Sequence, residues 1–240
     1  VVLGDSCASY LWSPHPDDCQ PENFNLAIPT TVRDALGANC RLIILLKDPV
    51  ARTLSAYLHH IAYGSLSPNR ALFDAPSELG LIALSRYGWH LRHWLAVFPA
   101  EQVLVVPDPG STNARTLLTR VAAFLGIADG QFFSDAEQVV YGGLRRRWDD
   151  SGLWVTIGQR GLNSLEMIQR SCSVLECGDT TEVRLVEPAE IDQLTAMLRA
   201  DTGDFAVLAE AHGWIDPAFT RWLSWPRPLV SARYSSGIGY

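Results

Sequence analysis

The sequence predicts an α/β fold in three layers, with helices on both faces of a central parallel sheet. The apolar run Leu42–Leu46 has the length and β-branched content of a buried strand, and Asp48 and Pro49 end that strand and can begin a helix. A long helical segment later ends at Pro99, and residues 102–106 form a second compact apolar strand. A strand, a helix and a returning strand are typical of a βαβ crossover, in which the two strands are parallel.

The composition is that of a globular protein, and its net negative charge implies that any anion site must be local. The chain has 240 residues, of which 48% are hydrophobic and 19% are charged, which is enough to bury a core, and we expect a single domain over residues 1–240. A formal net charge of -7 argues against a dedicated binder of nucleic acid or of anionic membranes. No apolar run approaches the ~18 residues of a membrane span, and the start VVLGDS lacks the features of a signal peptide. Five cysteines without a C-x-x-C pair do not predict a zinc site.

The remaining elements follow from apolar spacing and from turn residues. A helix is predicted after Pro49, because Val50, Leu54 and Leu58 recur at helical spacing. The rest of the prediction, in chain order, is a strand over 1–5, a loop over 6–18, a helix over 31–36, a surface loop over 64–76, a helix over 77–98, a helix over 113–125 that ends at Gly126, and two helices over 188–198 and 205–214.

The turn between the predicted strand Leu42–Leu46 and the helix after it has the features of an anion site. Lys47 lies at the carboxyl end of the strand, and Arg52 and Ser55 are three residues apart on one side of the helix. The helix N-terminus adds a partial positive charge, in the crevice where open α/β sheets bind ligands. Lys47 is the only lysine in the sequence.

The order K-D-P-V-x-R-x-x-S-x-Y at this turn resembles a segment of the PAPS-dependent sulfotransferases. In that family the pattern R-[DN]-P-x-x-R-x-x-S-x-Y binds the 3′-phosphate of 3′-phosphoadenosine 5′-phosphosulfate (PAPS). The resemblance implies that Lys47 and Ser55 contact the 3′-phosphate and that Arg52 supports them. Lys47 stands where the family has arginine, so it supplies the charge without the bidentate geometry of a guanidinium.

A second block, over residues 85–106, resembles the family pattern R-Y-x-x-x-L-x-x-W-L-x-x-F-P-x-E-Q-x-L-V-L. Phe124-Leu125-Gly126-Ile127 further matches the F-L-G-[LIV] with which family members end a later helix. Most of these residues are core residues, so the resemblance implies the P-loop-like sulfotransferase fold more directly than it implies chemistry.

Candidates for the acid–base chemistry come from the first residues of the chain. The segment Gly4-Asp5-Ser6-Cys7-Ala8-Ser9-Tyr10-Leu11 resembles the G-E-K-S-P-x-Y-[LF] of heparan-sulfate-type carbohydrate sulfotransferases, with Ser6 in the place of the lysine. The resemblance leaves Asp5 as the acid–base candidate, with His15 as a second candidate for the base.

Two further nucleotide-binding segments are matched only loosely. The segment from Cys172 through Cys177 to Arg184 resembles the cysteine-flanked loop that closes over the nucleotide, and it implies contacts from Thr180 and Arg184. The N-terminal 5′-phosphosulfate loop has no counterpart where the family has it, and residues 155–165 only echo its pattern. Either a segment precedes Val1 or the protein is a non-catalytic relative.

The resemblance implies a sulfotransferase that moves a sulfuryl group from PAPS to a hydroxyl or amine of a carbohydrate acceptor and releases adenosine 3′,5′-bisphosphate (PAP), without a metal. The expected partner is a small-molecule or oligosaccharide acceptor, not nucleic acid. The expected location is cytoplasmic, or the Golgi lumen if an anchor precedes Val1. A sulfotransferase-fold binding module without catalysis is the alternative from a different class.

An esterase is a further alternative, because VVLGDS also resembles the first block of SGNH (GDSL-type) esterases, in which Ser6 would be the nucleophile. Such a serine requires a histidine base, normally in a D-x-x-H near the C-terminus. No D-x-x-H occurs in this sequence, so the esterase is the less favoured hypothesis.

Overall fold

Two parallel strands and the helices next to them in sequence form the part of the fold that carries the candidate site. The computed structural model describes residues 11, 27–62, 64–67, 70–107, 114–127, 146–149, 151–158, 180–214 and 216–223. They divide into two units that alternate along the chain. The first contains the described residues up to Pro49, those of Ile82–Gln138 and those of Arg199–Leu223, and the second contains those of Val50–Leu81 and Val139–Leu198.

The first unit is built on the predicted parallel pair. Strand β1 (Leu42–Leu46) pairs with β2 (Val103–Pro107) in parallel, in a register that runs from Leu42 opposite Val103 to Leu46 opposite Pro107. This pairing confirms the predicted crossover and, with the helices, the predicted α/β class. The helices of this unit are α1 (Ala27–Leu36), α3 (Tyr87–Val97), α4 (Ala114–Leu125), the second part of α5 (Pro188–Ala211) and α6 (Pro217–Leu223).

The core of the first unit is rich in aromatic side chains. Trp94 and Phe98 stack at the end of α3, and Phe205 of α5 lies against Phe219 and Trp222 of α6. Large rings bury much apolar area with few rotatable bonds, which favours a rigid core. The buried cluster comprises Leu46, Tyr87, Leu91, Trp94, Phe98, Val103, Val105, Phe205, Ala209, Trp214, Phe219 and Trp222.

The second unit combines α2 (Pro49–Ala62), which begins at the last residue of the first unit, with an antiparallel sheet. Strands β3 (Arg146–Asp149), β4 (Gly152–Gly158) and β5 (Thr180–Val186) pair in the order β3-β4-β5, with an irregularity at Leu153/Trp154. This sheet was not predicted from the sequence. The first part of α5 follows β5, and the Glu190 side chain accepts a hydrogen bond from the backbone N–H of Glu187 at 2.9 Å, which caps the helix start.

Two helix predictions need correction. The helix predicted over 77–98 is an α-helix only from Tyr87, because Gly80 adopts a left-handed conformation (φ 59°) after the 3₁₀ turn Ser77–Leu79 and a second 3₁₀ turn follows at Ala83–Ser85. The two helices predicted over 188–198 and 205–214 form the single helix α5. An aspartate inside a helix can compete for backbone hydrogen bonds and so destabilise it. The Asp201 carboxylate instead accepts hydrogen bonds from backbone N–H groups of α3.

Several predictions are not tested by these elements. The strand predicted over 1–5 lies outside the described residues, and so does the loop predicted over 6–18 except Leu11, which lies in a turn. The single domain over residues 1–240 stays a prediction. Every helix within the described ranges is too short or too polar to cross a membrane.

Candidate functional site

The turn between β1 and α2 is as short as the sequence predicts. β1 ends at Leu46 and α2 begins at Pro49, so that only Lys47 and Asp48 connect them. Proline suits the first helical turn, because its fixed φ matches the helix and its missing N–H has no acceptor there. The boundary between the two units falls after Pro49, so Lys47 belongs to the first unit, and Arg52 and Ser55 belong to the second.

In the first unit, the backbone of Lys47 is held by a buried tyrosine. The hydroxyl of Tyr87 donates a hydrogen bond to the carbonyl oxygen of Lys47 at 2.9 Å. Tyr87 is the first residue of α3, and its side chain is 4% exposed, whereas Lys47 is half-buried. This hydrogen bond therefore fixes the backbone at the end of β1, where the half-buried side chain of Lys47 is attached.

The N-terminus of α3 is in turn held by Asp201 of α5. One carboxylate oxygen accepts the N–H of Gly88 at 3.0 Å and the other accepts the N–H of Trp89 at 2.8 Å. Burial raises the pKa of Asp201, against the lowering effect of these two hydrogen bonds and of the Arg86 charge. Asp201 thus caps α3 from a different helix.

In the second unit, the candidate residues of α2 differ in their surroundings. The Arg52 guanidinium donates to the carbonyl oxygens of Leu81 at 2.8 Å and Gly80 at 3.3 Å, so it holds the segment that follows the turn at residue 80. Ser55 is half-buried on the same helix, next to the buried Leu54. Arg52 thus supports the chain at residues 80–81. Its predicted role beside the 3′-phosphate stays a prediction.

The second half of α2 adds a buried hydroxyl and a histidine. Tyr57 donates its hydroxyl to the carbonyl oxygen of Arg70 at 2.6 Å, and burial, followed by the charge of Glu190, raises the pKa of Tyr57 to about 12. The pKa of His60 is lowered, first by burial and then by the charges of His59 and Arg52. Tyr57 therefore acts as a hydrogen-bond donor at neutral pH.

The other predicted site residues are placed only in part. Asp5, Ser6 and His15 lie outside the described residues, as do both cysteines of the predicted nucleotide-covering loop. Thr180 and Arg184 lie in β5, opposite Gly158 and Trp154 of β4, and not in a loop. Within the described ranges, no group of three or more histidine, cysteine or acidic residues could hold a metal ion.

Two residues of this region were missed at the level of sequence. The sequence pattern predicts Tyr87 as a core residue, and it predicts Asp201 in a break between two helices. The partner of Tyr87 is 40 residues earlier in the chain, and those of Asp201 are 112 and 113 residues away. No local sequence pattern predicts contacts between residues so far apart in the chain.

These features define an α/β protein with a candidate anion site at a strand-to-helix turn. Lys47 lies in the turn, Pro49 begins the helix, and Arg52 and Ser55 lie on that helix. Comparison with known proteins then identifies its relatives. The chain is 30% identical to human heparan sulfate glucosamine 3-O-sulfotransferase 3B1, in a match that covers 39% of this chain and 26% of that protein. The match to human heparan sulfate glucosamine 3-O-sulfotransferase 3A1 has the same identity and covers 25% of that protein. This partial similarity confirms the resemblance to sulfotransferases that the sequence predicts.

The similarity is partial in each comparison. The chain matches about a quarter of the length of these two curated relatives. A crystal structure of a sulfotransferase from Alicyclobacillus acidocaldarius is similar with a TM-score of 0.48 and 16% identity, over 81% of this chain and 63% of that one. None of the protein-family models matches the chain.

Proposed function

We propose that this protein is a sulfotransferase that uses PAPS as its donor and a hydroxyl or amine of a carbohydrate as its acceptor. The observation that carries the proposal is the β1–α2 turn, where Lys47 follows the strand and Arg52 and Ser55 follow Pro49 in the spacing of a 3′-phosphate segment. The relationship to two enzymes named for 3-O-sulfation of heparan sulfate glucosamine supports a carbohydrate acceptor.

In the proposed reaction, the acceptor oxygen or nitrogen forms a bond to sulfur while the bond between sulfur and the bridging 5′-phosphate oxygen breaks. PAP leaves with the bonding electrons, and a base takes the proton of the acceptor. Catalysis of such a transfer requires positioned charge around the leaving phosphate and a base near the acceptor, by analogy with phosphoryl transfer. We assign the base to Asp5, with His15 as the second candidate.

The donor nucleotide would be held chiefly through its 3′-phosphate. Lys47 supplies a positive charge, Ser55 supplies a hydroxyl, and the start of α2 supplies the partial charge of its dipole. Arg52 keeps the chain at residues 80–81 attached to α2, which supports the helix that carries Ser55. Thr180 and Arg184 of β5 are proposed as further nucleotide contacts on the strength of the family resemblance.

A binding module without transferase activity is the second candidate, and one observation favours it. The segment that echoes the 5′-phosphosulfate loop begins in β4, which pairs antiparallel with β3 and β5. The family loop connects a strand to a helix, whereas this segment begins in the central strand of an antiparallel sheet. Such a module would bind PAP without consuming PAPS.

Calorimetric titration of PAP and of adenosine 5′-monophosphate tests the donor site. We expect PAP to bind much more tightly, because only PAP carries the 3′-phosphate that Lys47 and Ser55 would contact. Lys47→Ala should weaken PAP binding about ten- to hundredfold, the effect of one charge-assisted contact worth roughly 1.5–3 kcal/mol. Lys47→Arg should retain or improve binding.

Arg199→Ala is the matched control, since it removes one positive charge from an exposed position of α5. It should leave PAP affinity within about twofold of the wild type, as expected for a screened surface charge. Equal affinity of the wild type for the two nucleotides would refute the 3′-phosphate site. Release of PAP from PAPS in the presence of heparan sulfate oligosaccharides then separates the enzyme from the binding module.

A further inference from the structure

We propose that Tyr87 is a positioning residue of the nucleotide site, which orients Lys47 toward the donor by holding its backbone carbonyl. The inference rests on the proposed role of Lys47 in binding the 3′-phosphate. It assigns a functional task to a tyrosine that the sequence pattern places in the core.

The hydrogen bond lies where regular strand pairing stops. The β1–β2 ladder ends with Leu46 opposite Pro107, so the carbonyl of Lys47 lies one residue beyond the last paired residue of β1. The Tyr87 hydroxyl donates to this carbonyl at 2.9 Å, within the normal range for a good O–H···O bond. The bond fixes the plane of the peptide that joins Lys47 to Asp48.

The hydroxyl itself is held rigidly. The ring of Tyr87 contacts Phe205 edge-on and Trp222 at a tilt, each with 6.3 Å between ring centroids. The helix that begins with Tyr87 has two of its first N–H groups bound by the carboxylate of Asp201. A phenol packed between rings at a capped helix start has little freedom, so it presents its hydroxyl at one position.

The backbone direction matters more for lysine than it would for arginine. An ammonium is a point charge on four flexible carbons, whereas a guanidinium sets its own geometry through a planar fork. A fixed peptide plane at Lys47 fixes the direction in which the Cα–Cβ bond leaves the strand, which reduces the conformations that the side chain must lose on binding. Tyr87 thereby restricts the conformations of the lysine side chain, whereas the planar guanidinium of the family's arginine needs no such restriction to bind in a fixed geometry.

The test compares Tyr87→Phe with a control that breaks a similar bond at the other end of the same strand pair. The indole Nε1–H of Trp214 donates to the carbonyl of Val103, the first residue of β2, at 3.1 Å, and both residues are buried in the same cluster. Trp214→Phe therefore removes a buried donor to a strand carbonyl, away from the β1–α2 turn. Both variants should lose stability, and circular dichroism should show that both remain folded.

We expect Tyr87→Phe to raise the Kd for PAP about three- to tenfold, the effect of one hydrogen bond, with little change for adenosine 5′-monophosphate. The preference for PAP should fall by the same factor. Trp214→Phe should leave that preference unchanged. In a Lys47→Ala background, Tyr87→Phe should have no further effect on PAP affinity, since it acts through Lys47.

A second measurement requires no ligand. Because Lys47 is the only lysine, reductive methylation with ¹³C-formaldehyde labels one side chain and the terminal amine, and the dimethyl-lysine resonance reports on its surroundings. Tyr87→Phe should move this resonance toward its position in the unfolded chain, and Trp214→Phe should leave it in place.

The outcomes separate the two proposals. If Lys47→Ala weakens PAP binding but Tyr87→Phe changes neither the nucleotide preference nor the resonance, the positioning role is wrong and the proposed function stands. If the wild type shows no preference for PAP, the proposed function is wrong. The role of Tyr87 in nucleotide binding is then wrong as well. A shift of the resonance in Tyr87→Phe would in that case show only that the hydroxyl orders Lys47.

Discussion

At Gly88, α3 lies directly against α5, and replacement of this glycine by alanine gives a sharp test of that packing. A Cβ added to Gly88 would lie 2.7 Å from the carbonyl oxygen of Asp201 and 3.0 Å from the backbone nitrogen of Phe205. Backbone atoms cannot rotate away as a flexible side chain can, so one helix must shift. The turn of α5 that would be pushed away also carries the Asp201 carboxylate that caps α3.

The expected magnitude follows from three contributions. Alanine in place of glycine inside a helix stabilises by about 1 kcal/mol. Overpacking costs about 1–3 kcal/mol, and a weakened cap costs about 0.5–2 kcal/mol more. Gly88→Ala should therefore lower the free energy of unfolding by roughly 0.5–4 kcal/mol, or the Tm by about 1–16 °C for a chain of this length.

Gly203→Ala is the matched control, because it makes the same substitution in α5, where no atom outside the adjoining backbone of that helix lies within 4 Å of the added Cβ. It should stabilise the protein by about 0.5–1 kcal/mol. Urea unfolding followed by circular dichroism measures both variants against the wild type. The two substitutions should change stability in opposite directions, and a Gly88→Ala variant as stable as Gly203→Ala would refute the close approach of the two helices.

Two further predictions concern residues that hold the site in place. The raised pKa of Asp201 means that the folded protein binds this proton more tightly than the unfolded chain, so its contribution to stability falls as the pH rises from about 4 through the raised pKa. Unfolding titrations between pH 3.5 and pH 7 should therefore show the advantage of the wild type over Asp201→Asn decreasing across this window, and an advantage that grows with pH would contradict the assignment. Arg52→Lys should lose one of the two hydrogen bonds to Gly80 and Leu81, with about 1 kcal/mol less stability and faster amide exchange over residues 77–81. Arg70→Lys, which alters an exposed donor to a carbonyl, should change neither measurement appreciably.

The elements nearest the candidate site could be predicted because their signals are local. An apolar run of five residues, an aspartate and a proline, and helical spacing after them are sufficient to place β1, the two-residue connection and the start of α2. The same local patterns placed Lys47 at the strand end and Arg52 and Ser55 on one helix. The relationship to sulfotransferases could also be recognised from these residues, since they form a pattern of fixed spacing.

Contacts between distant parts of the chain were decided only by the tertiary structure. The sequence alone determined that Lys47 ends a strand, but the packing of α3 against the sheet determined that Tyr87 holds its carbonyl. Residues 199–204, which the sequence predicts as a break between two helices, continue one helix, and the Asp201 carboxylate within them accepts hydrogen bonds from α3. Apolar spacing along the chain reports which face of an element is buried, whereas the partner of a buried polar group depends on which elements meet, and that is settled only when the core packs.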